Sequence, residues 1–64
     1  MEKLNEEQRE ALMVVATEAA TVAGAIIRGL SYDQKNQPDG AYAYLTDAKQ
    51  LLQHAFRYWP VNVP

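Results

Sequence analysis

One line of side chains in the C-terminal half of the chain has residue types that can bind an anion and a planar ring. Its members recur at steps of four, three, four and four, which places them on one helical face: Tyr42, Thr46, Lys49, Gln53 and Arg57. Ammonium and guanidinium groups bind phosphate oxygens, and aromatic rings stack on nucleobases. Phe56 adds a second ring beside the line, while Thr46 and Gln53 supply neutral hydrogen-bonding groups. The pattern fits a ligand-binding face or the solvated face of an amphipathic helix, and spacing alone favours the second.

A second candidate cluster lies where the first predicted helix ends. Arg28, Tyr32 and Lys35 come close together there and offer two cations and a ring. The same residues have a structural interpretation, because cations near a helix C-terminus stabilise the free carbonyls and the helix dipole. Tyr32 can also close a helical hairpin against Pro38. The cluster is therefore a candidate ligand site whose structural interpretation is the stronger one.

The composition argues against catalysis and against a metal or cofactor site. The chain of 64 residues has no cysteine and one histidine, His54, which we expect at the edge of the core. Only a few hydroxyl side chains are available as nucleophiles, and none lies in a recognisable motif: Thr17, Thr21, Ser31 and Thr46. The net charge of −2 argues against binding to duplex nucleic acid, which requires a basic face. We therefore expect a protein that is not an enzyme and has no cofactor.

Two helices must position these residues. The first is predicted over about residues 6–30, because Asn5 and Gln8 have the spacing of a capping box and Gly29 precedes a polar stretch. A loop is predicted over about 31–38. The second helix is predicted over about 39–59, with Pro38 in its first turn and Pro60 ending it. Residues 60–64 are predicted to form an extended tail. Residues 1–64 then form one all-α domain, an antiparallel two-helix hairpin.

The first helix has more apolar surface than one neighbouring helix can cover. One stripe is predicted to face the second helix: Leu12, Val15, Ala19, Val22 and Ile26. A second apolar face lies round the same cylinder: Met13, Ala16, Ala20, Ala23, Gly24, Ile27 and Leu30. The facing stripe of the second helix is predicted from a similar spacing: Ala41, Leu45, Ala48, Leu52, Ala55 and Trp59. Because a domain of this size has a small core, the surplus face predicts assembly into a helical homo-oligomer.

Residues 11–30 are also long enough to raise the question of a membrane span. Glu18 lies in the middle of this segment, where a charged side chain costs roughly 2.5–3.5 kcal/mol on insertion scales. We therefore expect a buried helix of an oligomer and no membrane association. The absence of cysteine and of a recognisable signal peptide predicts a cytoplasmic protein.

The segment from Ala48 to Tyr58 resembles the second helix of phage cyclic-oligonucleotide sponges, the anti-CBASS and anti-Thoeris proteins. That helix typically reads alanine, a basic residue, threonine, any residue, leucine, glutamine, glutamate, alanine, phenylalanine, methionine and tryptophan. Five positions match it: Ala48, Leu52, Gln53, Ala55 and Phe56. Lys49 keeps the basic position and Tyr58 keeps an aromatic one. Three positions depart from the pattern: Gln50, His54 and Arg57.

The resemblance implies a protein that sequesters cyclic di- or trinucleotide immune signals at sites between protomers. It also implies a homo-oligomer, which is a hexamer in the anti-CBASS sponges, located in the host cytoplasm if a phage encodes the chain. Lys49 is then the residue that inherits a phosphate contact from the motif. Roles for Arg57, Tyr42, Phe56 and Tyr32 follow only from residue type and position. The alternatives are an oligomeric adaptor or inhibitor of a host protein, with the acidic first turn as its contact, and a membrane-associated peptide.

Overall fold

The computed structural model describes residues 3–64, and it is an all-helical hairpin. Helix α1 spans Glu6–Gln34 and helix α2 spans Pro38–Phe56. The helices run antiparallel, since residues near the end of α1 lie against the start of α2 and Glu18 lies beside His54. The described part of the chain measures 49 × 16 × 14 Å. The predicted hairpin is confirmed. Met1 and Glu2 of the predicted single domain lie outside the described residues.

The start of α1 is the predicted capping box. The side chain of Asn5 accepts a hydrogen bond from the backbone N–H of Gln8 at 2.8 Å. The side chain of Gln8 in turn accepts one from the backbone N–H of Asn5 at 2.8 Å. Two of the free N–H groups at the helix start are thereby satisfied.

The end of α1 lies at Gln34, four residues beyond the predicted boundary at residue 30. The predicted loop over 31–38 was therefore wrong, and the connection is residues 35–37. A tertiary contact explains the extension, because the ring of Tyr32 stacks on Tyr44 of α2 with centroids 5.4 Å apart. Asn36 then ends the helix in the left-handed region with φ of 58°. The N–H groups of Asn36 and Gln37 donate to carbonyls of α1, a Schellman arrangement.

Helix α2 begins as predicted, with Pro38 in its first turn, but ends at Phe56 instead of about residue 59. The extended tail predicted over residues 60–64 is not observed. The indole Nε1–H of Trp59 donates to the carbonyl of Val63 at 2.9 Å, and the Val63 N–H donates to Pro60 at 3.1 Å. The tail therefore folds back as a turn, and it borders a groove beside Leu4 near the start of α1.

The two helices meet along a seam of small residues. On α2 it consists of Ala41, Ala48 and Ala55, spaced by seven and exposed by only 4%, 2% and 2%. On α1 it consists of three buried residues: Val22, Ala25 and Gly29. Side chains this small allow the two backbones to approach closely. The closeness is visible at Gly29, where an added Cβ would lie 3.3 Å from the Ala41 carbonyl oxygen.

The seam is rotated from the predicted stripe. Val22 is buried as predicted and Leu12 and Val15 are half-buried, but Ala19 and Ile26 are exposed. On α2, the three alanines of the predicted stripe are buried as predicted, whereas Leu52 is exposed, and so is Trp59 beyond the end of the helix. The helices instead meet along the residues that permit the closest approach.

The second apolar face of α1 is bare in the single chain. Of its seven predicted residues Gly24 is half-buried, and the other six, which we call the outer face, are exposed: Met13, Ala16, Ala20, Ala23, Ile27 and Leu30. The exposed fractions of Met13 and Ile27 are both 66%, and that of Leu30 is 54%. One hairpin therefore cannot bury the apolar surface that α1 carries.

Candidate ligand-binding face

The cationic line lies on the solvent-exposed part of α2 and on the residue that follows it, and Lys49 within the line also borders α1. Its five members and Phe56 are all exposed: Tyr42, Thr46, Lys49, Gln53 and Arg57. This follows from the alanine column of the seam, which turns the opposite side of α2 to solvent. The structure thus brings six of the eight predicted site residues onto one face.

The two cations of this line are free to meet an anion. Within residues 3–64 the single close contact between a basic side chain and a carboxylate is that between His54 and Glu18, so neither Lys49 nor Arg57 has a carboxylate partner there. The two residues are eight positions apart, which separates their backbones by about 12 Å. That spacing suits two phosphate groups of one larger ligand better than a single phosphate.

Two exposed aromatic rings, those of Tyr42 and Phe56, lie near opposite ends of the cationic line. Tyr42 is 69% exposed and Phe56 is 64% exposed. Their positions are separated by about 21 Å along the helix axis, too far to sandwich one base between them. Each ring therefore offers one stacking surface, and a closed site would need a second wall from elsewhere.

Arg28 and Tyr32 do not join this face, because both belong to α1. The Tyr32 ring is engaged in closing the hairpin: Tyr44 stacks on it, and a Cβ on Gly40 would lie 2.9 Å from it. The Lys35 Nζ also lies 5.7 Å from the ring centroid. Arg28 is exposed, with its guanidinium beside Gly24 on the preceding turn. Tyr32 therefore has a clear structural role, and ligand contacts by either residue stay predictions.

Sequence reasoning missed an apolar groove between the helices that includes Lys49. It has a volume of about 250 Å³ and is lined by Val22, Ile26, Leu45, Ala48, Lys49 and Leu52. An ammonium group at the edge of an apolar surface can hold a phosphate while a ring lies against the aliphatic side chains. The available signal was the pair Leu45 and Leu52, which follows the alanine column at the same spacing of seven.

On the other flank of the hairpin, His54 and Glu18 pair across the helices. The His54 Nδ1 lies 3.1 Å from one Glu18 carboxylate oxygen and 3.2 Å from the other. A carboxylate only accepts, so Nδ1 carries the proton of this hydrogen bond. The ring of His54 also meets Tyr58 edge-on, with centroids 5.2 Å apart. The pair is a polar contact between α1 and α2 at the edge of the hairpin.

Two further findings bear on the kind of site. Within residues 3–64 no group of three His, Cys, Asp or Glu side chains is arranged to hold a metal ion. Helix α1 is long and apolar enough to cross a membrane by length and composition, with a mean hydropathy of 1.6 over its most apolar window. This is weak evidence for a membrane span, because an apolar helix at a protein interface has the same length and composition.

Comparisons of the chain with protein-family models, characterised proteins and solved structures find no match. What the chain does must therefore be inferred from its own residues and geometry.

Proposed function

We propose that the protein is a non-catalytic, self-associating helical hairpin that binds cyclic oligonucleotides at sites between protomers and so sequesters them. The observation that carries the proposal is the position of Lys49. It is an exposed cation without a carboxylate partner in residues 3–64, and it lines the apolar groove between the helices. The resemblance of the segment from Ala48 to Tyr58 to the sponge motif supports the same residue.

The chemistry of the face fits a ligand with phosphates and bases. Lys49 and Arg57 provide two separated cations for phosphate groups, and Tyr42 and Phe56 provide rings for stacking. Thr46 and Gln53 add hydrogen-bonding groups for base edges. The chain is acidic overall, with a net charge of −2, which disfavours a long polyanion such as duplex DNA. A small cyclic oligonucleotide needs only a few cations.

The site requires more than one protomer because the face on a single chain is convex. Small-molecule sites are usually concave and bury most of the ligand surface. The cationic line can contact only one side of a ligand, and the rings of Tyr42 and Phe56 lie about 21 Å apart along the helix axis. Self-association that begins at the exposed outer face of α1 supplies further copies, and a protomer other than the one bound to that face provides the second wall.

Thermal stability with a panel of cyclic di- and trinucleotides tests the binding. A ligand present at a hundred times its Kd stabilises the folded state by ~2.7 kcal/mol. For a domain of this size that free energy corresponds to an increase in Tm of roughly 10 °C or more. Light scattering at micromolar concentration measures the self-association in parallel. A monomer, or a panel that leaves the Tm unchanged, contradicts the proposal.

The variant Lys49→Ala places the site. We expect it to keep the oligomer and to lose most of the ligand-induced increase in Tm. The matched control is Lys3→Ala, which removes the same charge from an exposed residue outside both candidate clusters. Equal loss in both variants would indicate a non-specific charge effect, contrary to the assignment of Lys49.

An adaptor that binds a host protein is the other function favoured by a specific observation, the exposed outer face of α1. An oligomer that responds to none of the cyclic nucleotides would favour it. A membrane span is disfavoured by the partner helix, because α2 packs along α1 and carries Asp39, Asp47 and Lys49. A spanning α1 would have to leave α2 or take these charges into the bilayer. Recovery of the protein in the membrane fraction would favour the membrane instead.

A further inference from the structure

The outer face of α1 has a residue spacing that fits packing against a second α1 helix. Its six residues follow steps of three, four, three, four and three, which is the spacing of the two apolar positions of a coiled-coil heptad. This series reads the same from either end. We propose that the face packs against the same face of a second copy, with the two α1 helices antiparallel about a two-fold axis between Thr21 and Val22. The proposal rests on the self-assembly in the proposed function and specifies its geometry.

The side-chain sizes fit this register. The axis places Ala20 opposite Ala23 of the second copy, so the centre of the contact is small and the helices can approach closely. The next layer places Ala16 opposite Ile27, a small residue against a large one. The outermost layer places Met13 opposite Leu30, where two flexible apolar side chains close the ends. Each layer occurs twice by symmetry, as an isologous interface requires.

The acidic first turn of α1 disfavours a parallel pair of α1 helices. In this register the first turns of one helix lie beside the last turn of the other. Level positions have numbers that sum to 43, so Arg9 lies level with Gln34 of the second copy and one residue from Asp33, whereas Glu10 lies level with Asp33. All four side chains are exposed in the single chain. A parallel pair would instead place the acidic first turns, with Glu6, beside each other, and like charges there repel.

The proposed contact leaves the hairpin and its candidate site intact. The outer face lies two sequence positions from the seam, as Ala20 does from Val22, which is about 200° round the helix. Helix α2 therefore lies on nearly the opposite side of α1 from the second copy. The cationic line stays exposed, and so does the groove that includes Lys49.

Cysteine cross-linking tests the register directly, because the native chain has no cysteine. The single variants Ala16→Cys and Ile27→Cys are oxidised separately and as an equal mixture. In the proposed dimer, residue 16 faces residue 27 of the second copy. Each residue lies about 16 Å along the helix axis from its own symmetry mate, beyond the reach of a disulfide. We expect a covalent dimer in the mixture and little in either variant alone.

Ala43→Cys mixed with Ile27→Cys is the control for random collisions, since Ala43 is exposed on α2 away from the outer face. Equal cross-linking in this mixture would overturn the register. Strong dimer formation by Ala16→Cys alone would indicate a parallel pair and would also overturn it. An oligomer that still binds cyclic nucleotides but gives no cross-link in the main mixture would refute the register and leave the proposed function standing.

Ile27→Lys gives an independent measurement that does not depend on thiol chemistry. A lysine within the apolar interface should abolish self-association in light scattering, while circular dichroism shows that the helices persist. Val61→Lys is the matched control, because Val61 is 98% exposed and lies in the tail. A dimer unaffected by Ile27→Lys would contradict the proposed interface, whereas a wild-type monomer would refute both the register and the self-assembly that the proposed function requires.

Discussion

The same substitution at two glycines of α1 should change stability in opposite directions. Glycine within a helix costs about 1 kcal/mol relative to alanine, because its unfolded backbone has more freedom to lose. At Gly24 an added Cβ would meet only the flexible guanidinium of Arg28, at 3.7 Å. Gly24→Ala should therefore stabilise the fold by up to about 1 kcal/mol, which raises the Tm by roughly 4–8 °C for a domain of this size.

Gly29→Ala carries the same gain in helix propensity but meets the closest part of the seam. The new Cβ would lie 3.0 and 3.1 Å from two carbons of Leu45 and 3.3 Å from the Ala41 carbonyl oxygen. Leu45 is a side chain and can move, whereas the Ala41 oxygen can move only with the backbone of α2. Overpacking of this kind typically costs about 1–3 kcal/mol, which exceeds the gain. We expect net destabilisation, with a Tm at or below that of the wild type.

Thermal unfolding followed by circular dichroism compares the two variants at one protein concentration, because the Tm of a self-associating protein depends on concentration. The wild-type protein should have a stability of only about 3–9 kcal/mol, so differences of this size are easily measured. If Gly29→Ala raises the Tm as much as Gly24→Ala does, the helices are further apart than the structure places them. The reasoning about the seam would then be wrong.

Two further variants probe the seam and the helix start. Ala48→Leu should lower stability by about 1–3 kcal/mol in chemical denaturation, because Ala48 is 2% exposed and the added atoms force the helices apart. Ala43→Leu makes the same change at an exposed site of α2 and should have little effect, so equal losses would argue against a packing cause. Asn5→Ala removes the cap that receives the N–H of Gln8 and should cost ~1 kcal/mol; an unchanged midpoint would show that the capping box contributes little.

Features decided within one or two helical turns could be predicted from the sequence. The capping box at Asn5, the helical start at Pro38 and the exposed face with Lys49 all depend on residues three or four positions apart. The spacing of residue types along a short segment is enough to predict such interactions. The surplus apolar face of α1 belongs to the same class, because its exposure follows from one helix being too small to cover another.

The candidate site could be predicted only in part. The cationic line was recognisable from its period, since four of its members lie on α2 and Arg57 follows the helix directly in helical conformation. The groove beside Lys49 was not, because it is completed by Ile26 of α1. Which flank of α1 meets which flank of α2 depends on how the two helices are rotated about their axes, and no local spacing states that rotation.

The sequence by itself determined that this chain forms two amphipathic helices with an apolar face left over. Only the tertiary structure decided where α1 ends, how the helices are rotated and which polar groups pair. Tyr32 extends α1 because Tyr44 and Gly40 lie against its ring, and Glu18 lies beside His54, thirty-six positions along the chain. Two apolar stripes of α1 competed for α2, and the seam formed where small residues on both helices allow the closest packing.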